Sequence, residues 1–173
     1  MPRGLSTDRI VSAAIELADA EGLAAVSMAR VAKRVGFTTM ALYRHVANKD
    51  ELVRRMFDEA LGPAPEYEIE DWRSGLRRWA YELRAVLRRH PWVIDVPITG
   101  EIATAGQLSW LERGLQALDG TGLAPGEDAD LILLLTGYVY WGVRLELSLA
   151  AARAGPLVPP ELDLSELPLV RRV

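Results

Sequence analysis

Apolar positions recur at helical spacing through most of the chain. Over residues 7–21, Ile10, Ala14, Leu17 and Ala18 fall on one face. Ser6 or Thr7 offers a cap at its start, and Gly22 stands where a left-handed stop belongs. Ser27 then caps a short helix over 28–35 whose buried side is Val31, Ala32 and Val35. Gly36 follows, a residue type that takes positive φ at little cost. Thr38 caps a third helix over 39–46. Two short helices joined by a tight glycine turn predict a helix-turn-helix. A fourth helix starts at Asn48, which pairs with Glu51 three residues on as in a capping box. Leu52, Val53, Met56, Phe57 and Ala60 form its stripe. Gly62-Pro63-Ala64-Pro65 breaks it and predicts a boundary between units 1–61 and 62–173.

The second unit also reads as helical. Over 71–89, Trp72, Leu76, Trp79, Leu83 and Val86 share a face; Pro91 restarts the chain in a short turn around Trp92. Leu108, Leu111, Leu115 and Leu118 align within 101–118, before the breakers Gly120, Gly122, Pro125 and Gly126. The last helix, over 127–153, differs. Its thirteen residues 131–143 carry no charge. That run is shorter than the ~20 residues of a membrane span. A helix apolar on nearly every side must be buried all round, which predicts one face in the core and the other against a second subunit. With no alternating strand pattern, the fold class is all-α: an N-terminal three-helix unit bearing the helix-turn-helix, then a helical C-terminal unit.

Charge changes the picture through its distribution. The net charge is -4, yet residues 27–49 hold Arg30, Lys33, Arg34, Arg44 and Lys49 and no acidic residue. A solvated face explains such a run by itself; on a helix-turn-helix it also suits phosphates. There is no cysteine, which excludes disulfides and thiolate chemistry. The polar start Met1-Pro2-Arg3-Gly4 does not resemble a secretory leader, so a cytoplasmic location is expected. The only histidines are His45 and His90, and no His-Glu-x-x-His pattern occurs. No metal site, cofactor or catalytic residue is expected. Gly120-Thr121-Gly122 lacks a preceding strand and a third glycine, so it is a loop and not a dinucleotide fingerprint.

With Leu42 facing the core and about 100° per residue, the third helix presents Thr39, Met40, Tyr43 and Arg44 outward. Arginine can pair with guanine O6 and N7, threonine and methionine can touch a thymine methyl, and a tyrosine hydroxyl can reach a phosphate. Lys49 adds a cation at a helix N-terminus, where backbone N–H groups also favour an anion. His45 fits packing or a phosphate contact.

The stretch from Leu5 to Leu52 resembles the DNA-binding region of TetR/AcrR-type regulators. The match is strongest over Val35-Gly36-Phe37-Thr38-Thr39-Met40-Ala41-Leu42-Tyr43-Arg44-His45-Val46-Ala47-Asn48-Lys49-Asp50-Glu51-Leu52, with Ile10-Val11, Ala13-Ala14, Leu17 and Ser27-Met28 upstream. The resemblance implies phosphate contacts at Tyr43 and Lys49 and at Ser27 or Met28, and groove contacts at Thr38, Thr39, Met40 and Arg44. Met28 stands where threonine is often found, so a hydroxyl contact is lost or passes to Ser27. Asp71-Trp72 through His90-Pro91-Trp92 resembles a recurrent C-terminal subtype. The implied function is a dimeric, ligand-responsive regulator, usually a repressor, that leaves a palindromic operator when a small, largely apolar effector binds.

Aromatic residues among apolar helices suit such a chamber, and Trp79, Trp92, Trp110, Tyr138, Tyr140 and Trp141 are the candidates. Gln107, Thr136 and Glu146 are candidates to orient a ligand. Asp128 and Asp130 fit a helix N-terminus better than a metal. Two rivals stay open. One is a helical small-molecule-binding protein or enzyme whose N-terminal motif is structural. The other is an interaction module whose apolar last helix docks a different protein.

Overall fold

The computed structural model describes residues 4–97, 104–124, 126–151, 165 and 167. These form seven α-helices and two 3-10 turns, with no strand among the described residues. The helices are α1 (Thr7–Glu21), α2 (Met28–Val35), α3 (Thr39–Leu42), α4 (Lys49–Leu61), α5 (Trp72–Arg89), α6 (Ala105–Leu118) and α7 (Glu127–Ala151). The expected helix start at 101 and end at 153 lie outside the described residues, as does the segment after Gly155 apart from Ser165 and Leu167.

Capping explains most boundaries. The side chains of Ser6, Ser27, Thr38, Asn48 and Thr104 each accept a backbone N–H three residues on, at N-caps with extended backbone. Asp71 makes a full capping box with Ser74. The Asn48–Glu51 pair is a variant of one: Glu51 reaches back to the N–H of Ala47 at 2.7 Å. That bond, with the Arg55 guanidinium, holds the Glu51 carboxyl below its ordinary value. Gly36, at φ 79° and ψ 32°, closes α2 in the left-handed conformation and turns the chain toward α3.

The N-terminal core is Ile10, Val11, Ala14 and Leu17 of α1 against Val31 and Val35 of α2, Leu42 and Val46 around α3, and Leu52 and Met56 of α4. It runs without a break into Trp79, Leu83, Leu87, Trp110, Leu118, Ile132, Val139 and Val143 of α5, α6 and α7. The Gly62–Pro65 breaker is therefore not a free linker. The Gly62 carbonyl accepts from Trp110 Nε1 at 3.2 Å, and the Ala64 N–H donates to Ser109 at 2.9 Å.

One expectation about α7 is corrected. Its 25 residues are long and apolar enough to cross a membrane by length and composition alone, which the thirteen-residue run understated. It is nevertheless tied laterally to the other helices, with Ile132, Val139 and Val143 in the core, Glu146 paired with Arg84, and Arg144 with Asp95. Its other face, with Leu131, Leu134, Tyr138, Trp141 and Leu145, is open on the single chain.

Candidate nucleic-acid interface and internal chamber

The third helix is shorter than its periodicity implied. It ends at Leu42 rather than Val46. Arg44 N–H then bonds Ala41 O at 3.4 Å, and His45 N–H bonds Leu42 O at 2.8 Å, so the chain tightens to three-residue turns. The tightening keeps Val46 over Leu42 and brings the chain to the Asn48 cap. The outward set survives it. Met40 is 71% exposed, Tyr43 and Arg44 are exposed, and Thr39 and His45 are half-buried. Thr38 is exposed and its Oγ1 accepts from Ala41 N–H, a bond that leaves its own proton free to donate.

The start of α2 holds a correction. Met28 is only 8% exposed and belongs to the core, so its side chain does not face outward. Ser27 Oγ accepts from Arg30 N–H at 3.3 Å and keeps a donor for a phosphate. The basic run also divides. Arg30 pairs with Glu21 at 2.6 Å and Arg34 with Glu16 at 2.8 Å. Lys33, Arg44 and Lys49 make no ion pair among the described residues, and all three are exposed. Of these, Arg44 lies in the turn after α3 and Lys49 begins α4, close to it in the chain.

Helices α4, α5, α6 and α7 line a partly open cavity of about 100 Å³. Of the candidates, Trp79, Gln107, Trp110, Thr136 and Tyr140 line it. Trp79 donates its indole N–H to the Trp110 carbonyl at 2.8 Å and meets the Trp110 ring edge-on, with centroids 5.8 Å apart. Burial pushes the Tyr140 hydroxyl up to about 12, so it remains a neutral donor there. Thr136 spends its proton on the Ile132 carbonyl.

The other three aromatic candidates do not line this cavity. Trp92 is 2% exposed but sits at the junction with α1, while Tyr138 and Trp141, at 74% and 66% exposed, point away from the cavity. Glu146 is engaged on the surface by Arg84. Asp128 Oδ1 accepts from Gly126 and Ala129 N–H groups, as a helix-start turn requires. Sequence reasoning missed Phe57, Leu61, Leu83, Leu111, Ile132 and Leu133 as walls. Phe57 and Leu61 come from α4, so the helix that follows the helix-turn-helix also walls the cavity.

The two units meet closely where α6 begins. Gly106 N–H donates to Asp58 Oδ1 at 2.8 Å. A Cβ at Gly106 would stand 2.8 Å from Asp58 Oδ1 and 3.0 Å from the Gly62 carbonyl. Gly106→Ala should therefore push α6 off α4 and destabilise the fold by about 1–3 kcal/mol. Thermal denaturation checks this; an unchanged midpoint would contradict the close approach.

Two family models match the chain. Bacterial regulatory proteins of the tetR family match residues 10–56, and the tetracyclin repressor-like C-terminal domain matches residues 64–156. The HTH-type transcriptional repressor DrrR1 of Streptomyces coeruleorubidus is 35% identical over 98% of this chain and 64% of its own length. The chain thus spans less than two-thirds of that relative. The TetR family protein ActR of Streptomyces coelicolor, solved in complex with actinorhodin, superposes with TM-score 0.80 at 28% identity, covering 96% of this chain and 83% of its own. BioQ, solved with its double-stranded DNA operator, gives TM-score 0.74 at 26% identity, covering 84% of this chain and 89% of its own.

Proposed function

The chain belongs to the tetR family of bacterial regulatory proteins, and on that premise we propose that it is a dimeric, effector-responsive repressor that binds a palindromic operator. Residues 1–61 carry the DNA contacts, and 62–173 carry the chamber and the dimer contact. The observation that carries this reading is the outward set Thr39, Met40, Tyr43 and Arg44, followed by the exposed cation Lys49 at the start of α4. Arg44 and Met40 read base edges, with Thr38 and Thr39 at the start of the same helix. Tyr43, Lys49, Ser27 and His45 hold phosphates. Base contacts specify and phosphate contacts position. The named repressor relative and the operator-bound BioQ support this assignment.

The dimer reading rests on α7. Leu131, Leu134, Tyr138, Trp141 and Leu145 are exposed and spaced alternately three and four apart, the spacing of a helix-pairing seam. A second copy of the same helix offers the self-complementary surface that a two-fold dimer needs. A different protein docking there is the less common arrangement; a monomer in sedimentation would favour it.

The effector is a small, largely apolar molecule held by Trp79, Trp110 and Tyr140 and oriented by Gln107. A cavity of about 100 Å³ is smaller than the ~300 Å³ or more of usual ligand sites. Effector entry must therefore move walls. Phe57 and Leu61 are walls on α4, so the movement reaches the helix that carries the reading head. An effector that prefers the widened state shifts the dimer away from the half-site spacing that DNA demands. The ligand-bound ActR relative supports a chamber of this kind. A helical enzyme is not favoured by the relatives.

The test is selection of duplexes from a random pool, followed by a salt series. Arg44→Ala should cost about 1–3 kcal/mol and relax selectivity at one position. Lys49→Ala should weaken all sequences alike and lower the salt slope by about 1. Enrichment of no duplex by a folded dimer would sink the reading.

A further inference from the structure

We propose that Asp19 of α1, with His90 and Trp92, forms an orienting lock that fixes the angle of the reading head and so sets which half-site spacing the dimer accepts. The proposal rests on the operator-binding reading above. His90 Nδ1 lies 2.9 Å and Trp92 Nε1 2.7 Å from the same oxygen, Asp19 Oδ1. A carboxylate oxygen accepts, so both ring nitrogens donate. Pro91 begins the 3-10 turn Pro91–Asp95, and that turn converges residues 90 and 92 on one point. The His90-Pro91-Trp92 motif thus acquires a job that the chamber does not give it.

Among the described residues, two sets of hydrogen bonds tie the N-terminal unit to the C-terminal helices, beside the core that they share. The first fastens the end of α4, by Asp58 to Gly106 and by Gly62 to Trp110. A body held through one helix can still turn about that helix. The second set removes this freedom. Asp19 lies about 10 Å along α1 from Ser12, where Glu59 ties α1 to α4. Arg9 bonds the Val35 carbonyl at 2.9 Å, so α1 carries the end of α2, and the turn into α3, with it.

On its other side the turn is held by α7, where Arg144 reaches the Ile94 carbonyl and Asp95, each at 2.9 Å. A continuous chain of contacts runs from the proposed dimer helix to the turn, to Asp19 and to the reading head. Apolar packing stands beside it, because Trp92 and Val93 are buried in the same core as Leu17, Ala18 and Val26. An open cleft of about 360 Å³ lies beside it, lined by Asp19, Trp92, Asp95, Arg144, Leu147 and Ser148 among others. Apolar packing has no direction, whereas hydrogen bonds to a charged acceptor are strong and directional, so they fix the angle at which the packed surfaces meet.

The test uses the full chain and the duplex that it enriches from a random pool, remade with the spacer between half-sites changed by one and two base pairs. For the unmodified chain, affinity should fall at least tenfold per added base pair. In Asp19→Ala and in Trp92→Phe the fall should shrink to about threefold or less, with binding to a single half-site unchanged. A lost groove contact would instead weaken the single half-site and leave the spacing profile intact, and that result overturns the proposal. A readout free of DNA is hydrogen exchange. The Trp92 indole proton should exchange at least tenfold faster in Asp19→Ala, while the Leu83 and Leu87 amides stay as they were. Unchanged indole protection also overturns it. Failure of the unmodified chain to enrich any duplex is the distinct result that removes the operator reading, and the lock's function with it.

Discussion

A chain carrying Leu134→Asp together with Trp141→Asp should sediment as a folded monomer where the unmodified chain sediments as a dimer. Both residues are largely exposed on the single chain, at 71% and 66%, so neither contributes much to its fold. They lie seven apart, two turns along one seam. Burying a large apolar side chain stabilises by about 1.5–3 kcal/mol. A two-fold interface uses each residue twice, so the pair removes at least about 6 kcal/mol, or on the order of 10⁴ in dimer affinity. Four carboxylates placed at the seam add a desolvation cost of the same sign. Operator affinity should fall with the dimer, because each monomer can hold only one half-site. Thermal unfolding and circular dichroism should show the helices intact. A dimer that survives the double substitution would place the interface on another face.

The reason that α7 misled a reading of its sequence is the reason that this substitution is informative. Tyr138 and Tyr140 are two residues apart and chemically identical, yet one is exposed and the other lines the cavity. Periodicity finds a face by contrast, and a helix apolar on both sides offers no contrast. Trp92 defeated the reading differently. It lies in a 3-10 turn, where helical spacing gives no direction for a side chain. Phe57 and Leu61 continue the α4 stripe that Leu52 and Met56 begin, and only the packing of α6 decides that they wall a cavity.

Where polar caps and glycines mark the chain, much more was legible. The boundaries of α1, α2 and α4 follow from Ser6, Ser27, Asn48, Gly22 and Gly36, because those residues satisfy helix-end groups locally. The outward residues of α3 were legible even though its length was not. A tightened turn still brings Val46 back over Leu42, and the positions between them still face away. Met28 was misplaced because family position outweighed amphipathicity. An apolar side chain at the first turn of α2 has a core beside it, and it enters that core.

Removing the Trp79 side chain should have the largest effect on stability of any single change in the C-terminal helices. The indole is buried where α5, α6 and α7 meet, and its N–H satisfies the Trp110 carbonyl. Trp79→Ala loses the transfer of a large aromatic ring and leaves a cavity, for about 3–5 kcal/mol. For a chain of this size that lowers the thermal midpoint by roughly 10–15 °C. Trp79→Phe separates the two contributions, since it keeps most of the ring but removes the indole hydrogen bond to the Trp110 carbonyl, at about 1 kcal/mol. The vacated space joins the existing cavity among Leu83, Leu111, Ile132 and Tyr140. An apolar cavity of that kind stays dry and accepts an apolar guest. Free indole should therefore raise the midpoint of Trp79→Ala more than that of the unmodified chain, in which the Trp79 ring occupies the space that the guest would take. Destabilisation below about 1 kcal/mol would mean that Trp79 is a movable wall and not a fixed one. In that case rotation of Trp79, and not displacement of α4, would be how the chamber widens to admit its effector.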